Sequence, residues 1–330
     1  MKPFRHTDAK TVSDAIKLLV EYGGDKAQLL AGGTDLLGLL KSKAQVAYPE
    51  LLINIKSIPG LDDIKMNDDG LRIGALAKLA DIVDSPKVKK DYPILAEAAE
   101  SVAMPQIRHM GTIGGNLAQE TRCWYYRYPN EIGGRIMCLR KGEGACLAVT
   151  GDNRYHAIFS GKRCFAVCPS DTATALAALD AQIRITGPDG ERLLDVMDFY
   201  NPLGNALGPG EMITEIHVPC PSADNRQAFI KHRVRESVDF AIVSVGLVSV
   251  IREGICSFAR IVLGAVAPGP YRATQAEKAL SGKAVNDETV EATAAAAVVG
   301  AAPLSKNAYK IEIAKTLVKR AILTCAKYES

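Results

Sequence analysis

Five of the eight cysteines, Cys123, Cys138, Cys146, Cys164 and Cys168, fall within 46 residues of a 330-residue chain. Clustered thiolates are ligands for zinc or for iron–sulfur centres. The spacing C-x14-C-x7-C-x17-C-x3-C contains no C-x2-C pair, which disfavours a zinc finger or ribbon. The bacterial ferredoxin run is also missing, although Cys164-x3-Cys168-Pro169 is like its tail. Ligands this far apart need a loop folded around the metal. Residues 120–163 suit that role, because they lack both the period of a strand and that of a helix. Five candidates for four places leave one undecided, and chance clustering of core thiols is the plain alternative. Cys220, Cys256 and Cys325 are scattered and read as ordinary half-buried thiols. His156 could be a ligand or a proton donor, but is read as a surface or capping histidine. Trp124, Tyr125, Tyr126 and Tyr128 follow the first cysteine and are read as packing the loop onto its domain.

Two glycine-rich segments are the second candidate site. One is Leu29-Leu30-Ala31-Gly32-Gly33-Thr34-Asp35-Leu36. The other is Gly111-Thr112-Ile113-Gly114-Gly115-Asn116. Paired glycines let backbone approach a ligand closely, and successive N–H groups can then face a phosphate. Neither segment is a Walker A loop and neither is G-x-G-x-x-G, so a Rossmann site is unsupported. Each alone could be a tight turn. Two of them, each near a strand end, suggest a pyrophosphate clamp.

The elements around these residues follow from periodicity. Helices are expected near 11–22, 77–84, 93–103 and 171–179, and strands near 28–30, 51–55, 71–75 and 164–167. A hairpin is expected at Gly187-Pro188-Asp189-Gly190. Beyond a boundary near Pro219–Asn225 come strands at 227–235, 239–251 and 255–266, then helices at 272–281, 286–299 and 306–327. Strands followed by helices suggest an α+β tail domain. Forty basic against 37 acidic residues leave a net charge of +3, too weak a field for nucleic acid. The longest apolar runs, near 240–251 and 292–304, fall short of a membrane span. Residues 1–8 have no apolar signal region, so a cytoplasmic chain is expected.

Taken together, these segments resemble the flavoprotein subunit of the molybdenum hydroxylases, the group of xanthine dehydrogenase, carbon monoxide dehydrogenase and 4-hydroxybenzoyl-CoA reductase. The two glycine segments are similar to that family's FAD-pyrophosphate motifs. Pro169–Ala173 resembles its Ser-Asp segment, Gly210–Ile216 the strand entering its last domain, and Lys231–Phe240 the first hairpin there. The resemblance implies an α+β fold: a PCMH-type two-subdomain FAD-binding domain over 1–220 (subdomains about 1–60 and 61–220), then a CO-dehydrogenase-flavoprotein-like domain over 221–330. It implies that residues 29–36 and 111–116 wrap the FAD diphosphate and ribityl chain. Ser170 and Asp171 would lie beside it, with Asp171 on a ribose or ribityl hydroxyl, and Val102, Ile213 and Lys231 near the flavin. The insertion at about 120–163 is similar to that of the 4-hydroxybenzoyl-CoA reductase β subunit, which holds a [4Fe–4S] cluster. That likeness selects Cys123, Cys138, Cys146 and Cys164 as ligands, and leaves Cys168 as a core thiol or a substitute for Cys164. The segment 151–158 departs from the reductase pattern. The implied partners are a large molybdenum-cofactor (molybdopterin) subunit and a small [2Fe–2S] subunit in a dimer of heterotrimers, with ferredoxin or another external carrier. Alternatives are a xanthine dehydrogenase-like subunit, a stand-alone flavin oxidoreductase, and a non-catalytic subunit with structural zinc.

Overall fold

Thr11 accepts a hydrogen bond from the Asp14 backbone N–H, and the Asp14 carboxylate caps Thr11 in return. This reciprocal cap starts a helix directly after the first strand. In the structure, a computed structural model, residues 1–45, 47–129, 132–133 and 136–327 are described. Elements are numbered along the chain. The first layer holds β1 (Arg5–Asp8), α1 (Val12–Tyr22), β2 (Ala27–Leu30), α2 (Leu36–Ser42) and β3 (Leu51–Asn54). The strands form a parallel sheet in the order β1-β3-β2. Helix α1 buries Ala15 and Ile16 on it, whereas Val20 is 52% exposed.

The second layer runs through β4 (Ile64–Asn67), β5 (Gly70–Gly74), α3 (Leu79–Asp84), α4 (Pro86–Asp91), α5 (Pro93–Glu100), α6 (Pro105–Arg108) and α7 (Ile113–Ala118). After the cysteine segment it continues with α8 (Asp171–Ala178), β6 (Gln182–Gly187), β7 (Gly190–Asp195), the short pair β8 (Tyr200–Asn201) and β9 (Gly204–Asn205), and β10 (Met212–Pro219). The sheet order β4-β5-β10-β6-β7 is antiparallel throughout. Strand β10 is its centre, so the segment read as entering the last domain first completes this sheet. Helix α4, absent from the sequence expectations, starts where Ser85 Oγ accepts from Val88 N–H and Pro86 sits at the first helical position.

The third layer is the antiparallel sheet β11 (Asn225–His232), β12 (Val243–Arg252), β13 (Ile255–Gly264). Short strands β14 (Tyr271–Arg272) and β15 (Lys283–Ala284) attach to β13, and α9 (Thr274–Leu280), α10 (Asp287–Ala296) and α11 (Tyr309–Ala326) bury a separate core. The two larger layers meet at α8. A side-chain carbon on Gly264 would lie 2.3 Å from Thr174 Oγ1, and one on Gly246 would lie 3.2 Å from the Thr174 carbonyl. Only glycine lets α8 rest this close to β12 and β13.

Residues 120–163 carry no regular element among the described residues except a short turn of 3-10 helix at Leu139–Lys141. Cys164–Val167, expected as a strand, is irregular too. The backbone N–H groups of Ile158 and Phe159 both donate to the Val266 carbonyl, at 2.8 and 3.0 Å. Asn307 Nδ2 donates to the carbonyls of His156 and Ala157, and Asn153 Nδ2 to Ser305 Oγ. The inserted segment is therefore stitched to the third layer. Among the described residues no helix is long and apolar enough to cross a membrane.

Candidate functional site

The two glycine segments touch. A side-chain carbon on Gly32 would lie 1.9 Å from the Met110 carbonyl oxygen, and one on Gly111 would be 3.5 Å from Thr34 Oγ1. Gly33 has φ +70°, a left-handed conformation that glycine adopts without strain. Strand β2 delivers the first loop: half-buried Leu29, Leu30 and Ala31 lead into it, and Leu36 opens α2 beyond it. The second loop lies along residues 75–79, where Ile113 N–H donates to the Ala77 carbonyl and Gly114 N–H to the Ala75 carbonyl, both at 2.9 Å. Thr112 caps α7 by accepting from Gly115 N–H at 3.2 Å. Asn116 Oδ1 accepts from Ser170 Oγ at 2.6 Å and Thr172 Oγ1 at 2.7 Å, tying this loop to the start of α8.

Asp35 has a different setting from its neighbours. Its carboxylate accepts from Arg122 at 2.5 Å, Arg127 at 2.7 Å and the Glu120 backbone N–H at 2.9 Å. Burial pushes its pKa up, and the Arg127 charge opposes that. Asp35 thus anchors the inserted segment onto the first glycine loop. The partners lie 87 and 92 residues away, so sequence spacing gave no hint of the pairing.

A cleft of about 340 Å³ opens between α8, the inserted segment and the third layer. Arg122, Cys123, His156, Ser170, Asp171 and Phe240 are among its walls. Asp171 is at the start of α8, where Ser170 Oγ caps the helix by accepting from Ala173 N–H. Its carboxylate meets Lys231 Nζ at 2.6 Å, with the two side chains only 5% and 4% exposed. Lys231 also donates to the Ser101 carbonyl at 2.9 Å. Burial pushes the Asp171 carboxyl up, and Lys231 pulls it back. Of the other residues expected beside a flavin, Ile213 belongs to the core of the second layer and Val102 packs against that core. The Arg122 guanidinium lies 4.6 Å from the ring centre of half-exposed Phe240, at the cleft wall.

Beside this cleft is a second, smaller cavity. Cys123, Cys138, Cys146 and Cys164 all line it, with Tyr126 and Arg140. Cys168 does not; it faces the cleft and is packed with Tyr200, its thiol pushed up to about 12 by burial. Burial also pushes the Cys123 thiol up to about 11 and raises that of Cys164. Such thiols stay protonated in the folded chain unless a cation takes the proton's place. Among the described residues no group of three or more His, Cys, Asp or Glu is gathered for a single metal ion. The four thiols surround a space rather than converge on a point. Cys123 and Ala166 line both cavities and form the shared wall.

His156, read as a surface or capping residue, is 3% exposed. Its Nε2 lies 3.3 Å from Cys123 Sγ, while its Nδ1 is buried without a partner. Burial pulls its pKa down to about 4. Trp124 and Tyr125 pack against the ring, and Tyr155 packs against Trp124. A histidine without neighbouring motif carries no sequence signal for this placement.

Two touching glycine loops, tied through Asn116 to the start of α8 at the cleft wall, are the layout of an FAD-binding domain of the kind found in molybdopterin-dependent dehydrogenases. The family described as the FAD binding domain in molybdopterin dehydrogenase matches residues 2–221, and the CO dehydrogenase flavoprotein C-terminal domain matches residues 228–325. The aldehyde oxidoreductase FAD-binding subunit PaoB of Escherichia coli K12 is 34% identical over 325 residues, covering 96% of each chain. The carbon monoxide dehydrogenase medium chain of Hydrogenophaga pseudoflava is 31% identical over 326 residues, covering 97% of this chain and 96% of that one. The solved carbon monoxide dehydrogenase from Hydrogenophaga pseudoflava superposes with a TM-score of 0.78 over 98% of both chains, at 31% identity. The chain belongs to the FAD-binding medium subunits of the molybdenum hydroxylase, carbon monoxide dehydrogenase and xanthine dehydrogenase family. It is a flavoprotein subunit of an oxidoreductase complex.

Proposed function

We propose that this chain relays electrons through FAD and a [4Fe–4S] cluster held by Cys123, Cys138, Cys146 and Cys164. The observation that carries this reading is the cavity lined by those four thiols, which shares Cys123 and Ala166 with the cleft. Four thiolates around a space match the one-per-iron demand of a cubane. When bound, FAD takes up two electrons and releases them singly, while a cluster carries one at a time. Leu29–Leu36 and Gly111–Asn116 would hold the diphosphate and ribityl chain, and Ser170 and Asp171 the floor of the site. Val102 and Ile213 support that floor from the core. Lys231 keeps the Asp171 carboxylate fixed in place.

We further propose a cytoplasmic dimer of heterotrimers, with domains 1–220 and 221–330 in this chain. Its partners would be a large molybdenum-cofactor subunit and a small [2Fe–2S] subunit, and ferredoxin or another carrier would exchange electrons with it. The cysteine segment favours a complex like 4-hydroxybenzoyl-CoA reductase. A second reading, an aldehyde-oxidising complex, is favoured by the 34% identity to an aldehyde oxidoreductase subunit. Iron, zinc and flavin analysis of the purified chain tests the relay. Four irons per chain with bound FAD are expected; zinc in place of iron, or iron without flavin, would sink it. Cys146→Ser should remove the iron and leave FAD bound. Turnover of 4-hydroxybenzoyl-CoA, aldehydes and purines by the whole complex separates the substrate readings.

A further inference from the structure

We infer that His156 is a positioning residue for the proposed cluster, donating its Nε2–H to the Cys123 sulfur and thereby raising the cluster's reduction potential. This rests on the cluster reading above. The supporting geometry is specific. Nε2 faces Sγ at 3.3 Å, and the ring is 3% exposed. A metal-bound thiolate is only an acceptor, so the imidazole nitrogen that faces it must carry the proton. Trp124 packs against one side of the ring, with centroids 5.8 Å apart, and Tyr125 lies at 6.0 Å. The Asn307 side chain fixes the backbone, bonding the His156 and Ala157 carbonyls at 3.1 Å each. Ring and backbone are therefore both held, and the donor cannot turn away without breaking contacts on each side.

The sign follows from charge. Adding an electron makes the cluster and its thiolates more negative, and a hydrogen bond to the sulfur is stronger in that state. Loss of the donor therefore disfavours reduction. Cys123 also lines the cleft that contains Ser170 and Asp171, so the tuned ligand is the one of the four shared with that cleft. The remaining His156 nitrogen, Nδ1, is buried without a partner, which leaves Cys123 as the bond that orients the ring.

The test uses the full chain purified anaerobically with its iron. In His156→Phe, iron and FAD content should match the unmodified chain, while the potential falls by about 59 mV or more, a tenfold change for one electron. His156→Gln, which keeps an N–H donor, should recover part of that shift. An unchanged potential in His156→Phe with full iron overturns the inference. Loss of iron from both variants also overturns it, by making His156 a ligand or a folding residue. A measurement on the unmodified chain needs no variant. With heavy-nitrogen-labelled histidine, the reduced cluster should show a weak nitrogen coupling through the hydrogen bond. No coupling, or the strong coupling of a directly bonded nitrogen, refutes the assignment. An unmodified chain that holds no iron refutes the cluster itself, which keeps the two failures distinct.

Discussion

Lys231→Met is the sharpest perturbation of the cleft. Lys231 and Asp171 meet at 2.6 Å with both side chains 95% or more buried. Removing the ammonium leaves a carboxylate that burial already disfavours, and the Ser101 carbonyl loses one of its two donors, keeping Arg233. Breaking one side of such a pair costs about 3–5 kcal/mol. Replacing both partners with neutral residues of similar size costs far less, because no uncompensated charge remains. Urea unfolding of the flavin-free chain, followed by circular dichroism, should therefore show a large loss in Lys231→Met. The double variant Asp171→Asn/Lys231→Met should regain about 2 kcal/mol or more relative to the sum of the single variants. If the two single losses add to the double loss within about 0.5 kcal/mol, the pair is not coupled and the reasoning fails.

Lys310 gives a pH signature. It is fully buried in α11, its Nζ bonded to the Ala265 carbonyl at 2.9 Å, and burial pulls its pKa from 10.5 to about 7. At about 1.4 kcal/mol per unit this is a penalty on the order of 5 kcal/mol. It acts fully below pH 7, where folded and unfolded chains are both protonated. It fades as pH rises from about 7 to 10.5, where only the unfolded chain keeps the proton. Lys310→Met should be the more stable protein at pH 6 and lose that advantage by pH 10 in the same unfolding assay; a constant difference contradicts the account. Gly32→Ala should lower flavin retention at least tenfold by forcing the glycine loops apart, since its new carbon would lie 1.9 Å from the Met110 oxygen. Gly38→Ala, in α2 with nothing within 4 Å, is the control and should gain about 0.5–1 kcal/mol. Cys164→Ser should lose iron whereas Cys168→Ser keeps it, by metal analysis of the two purified chains.

The parts of the site that were legible in the sequence are those where local chemistry dictates local shape. Gly32 and Gly33 had to be glycine for a close approach and a positive φ, and both are used that way. The Ser170 cap and the turn at 187–190 are likewise local. Helix α4 was legible in principle, from Ser85-Pro86, but its Lys-rich face hid the periodicity. The apolar run Cys164–Val167 looked like a strand because it is buried, yet it lines the two cavities instead of pairing. Asp35 and His156 were out of reach, because their partners are set by how distant segments dock. For Asp35 those partners are Arg122 and Arg127, and for His156 they are Cys123 and Asn307.

The stitching of the inserted segment to the third layer carries a consequence for timing. Asn153 bonds Ser305 Oγ and the Lys306 N–H, and Tyr309 bonds the Arg154 carbonyl, across separations of 152 to 155 residues. A growing chain that has just made its cysteines has none of these partners. At roughly 5–20 residues per second, synthesis of the missing stretch takes on the order of ten seconds or more. Through that interval the thiols are exposed to oxidants and stray metal while the glycine loops are already complete. On the proposed cluster reading, delivery of iron to this chain would be a late event, and a ribosome-bound intermediate halted before residue 305 should take up flavin sooner than iron.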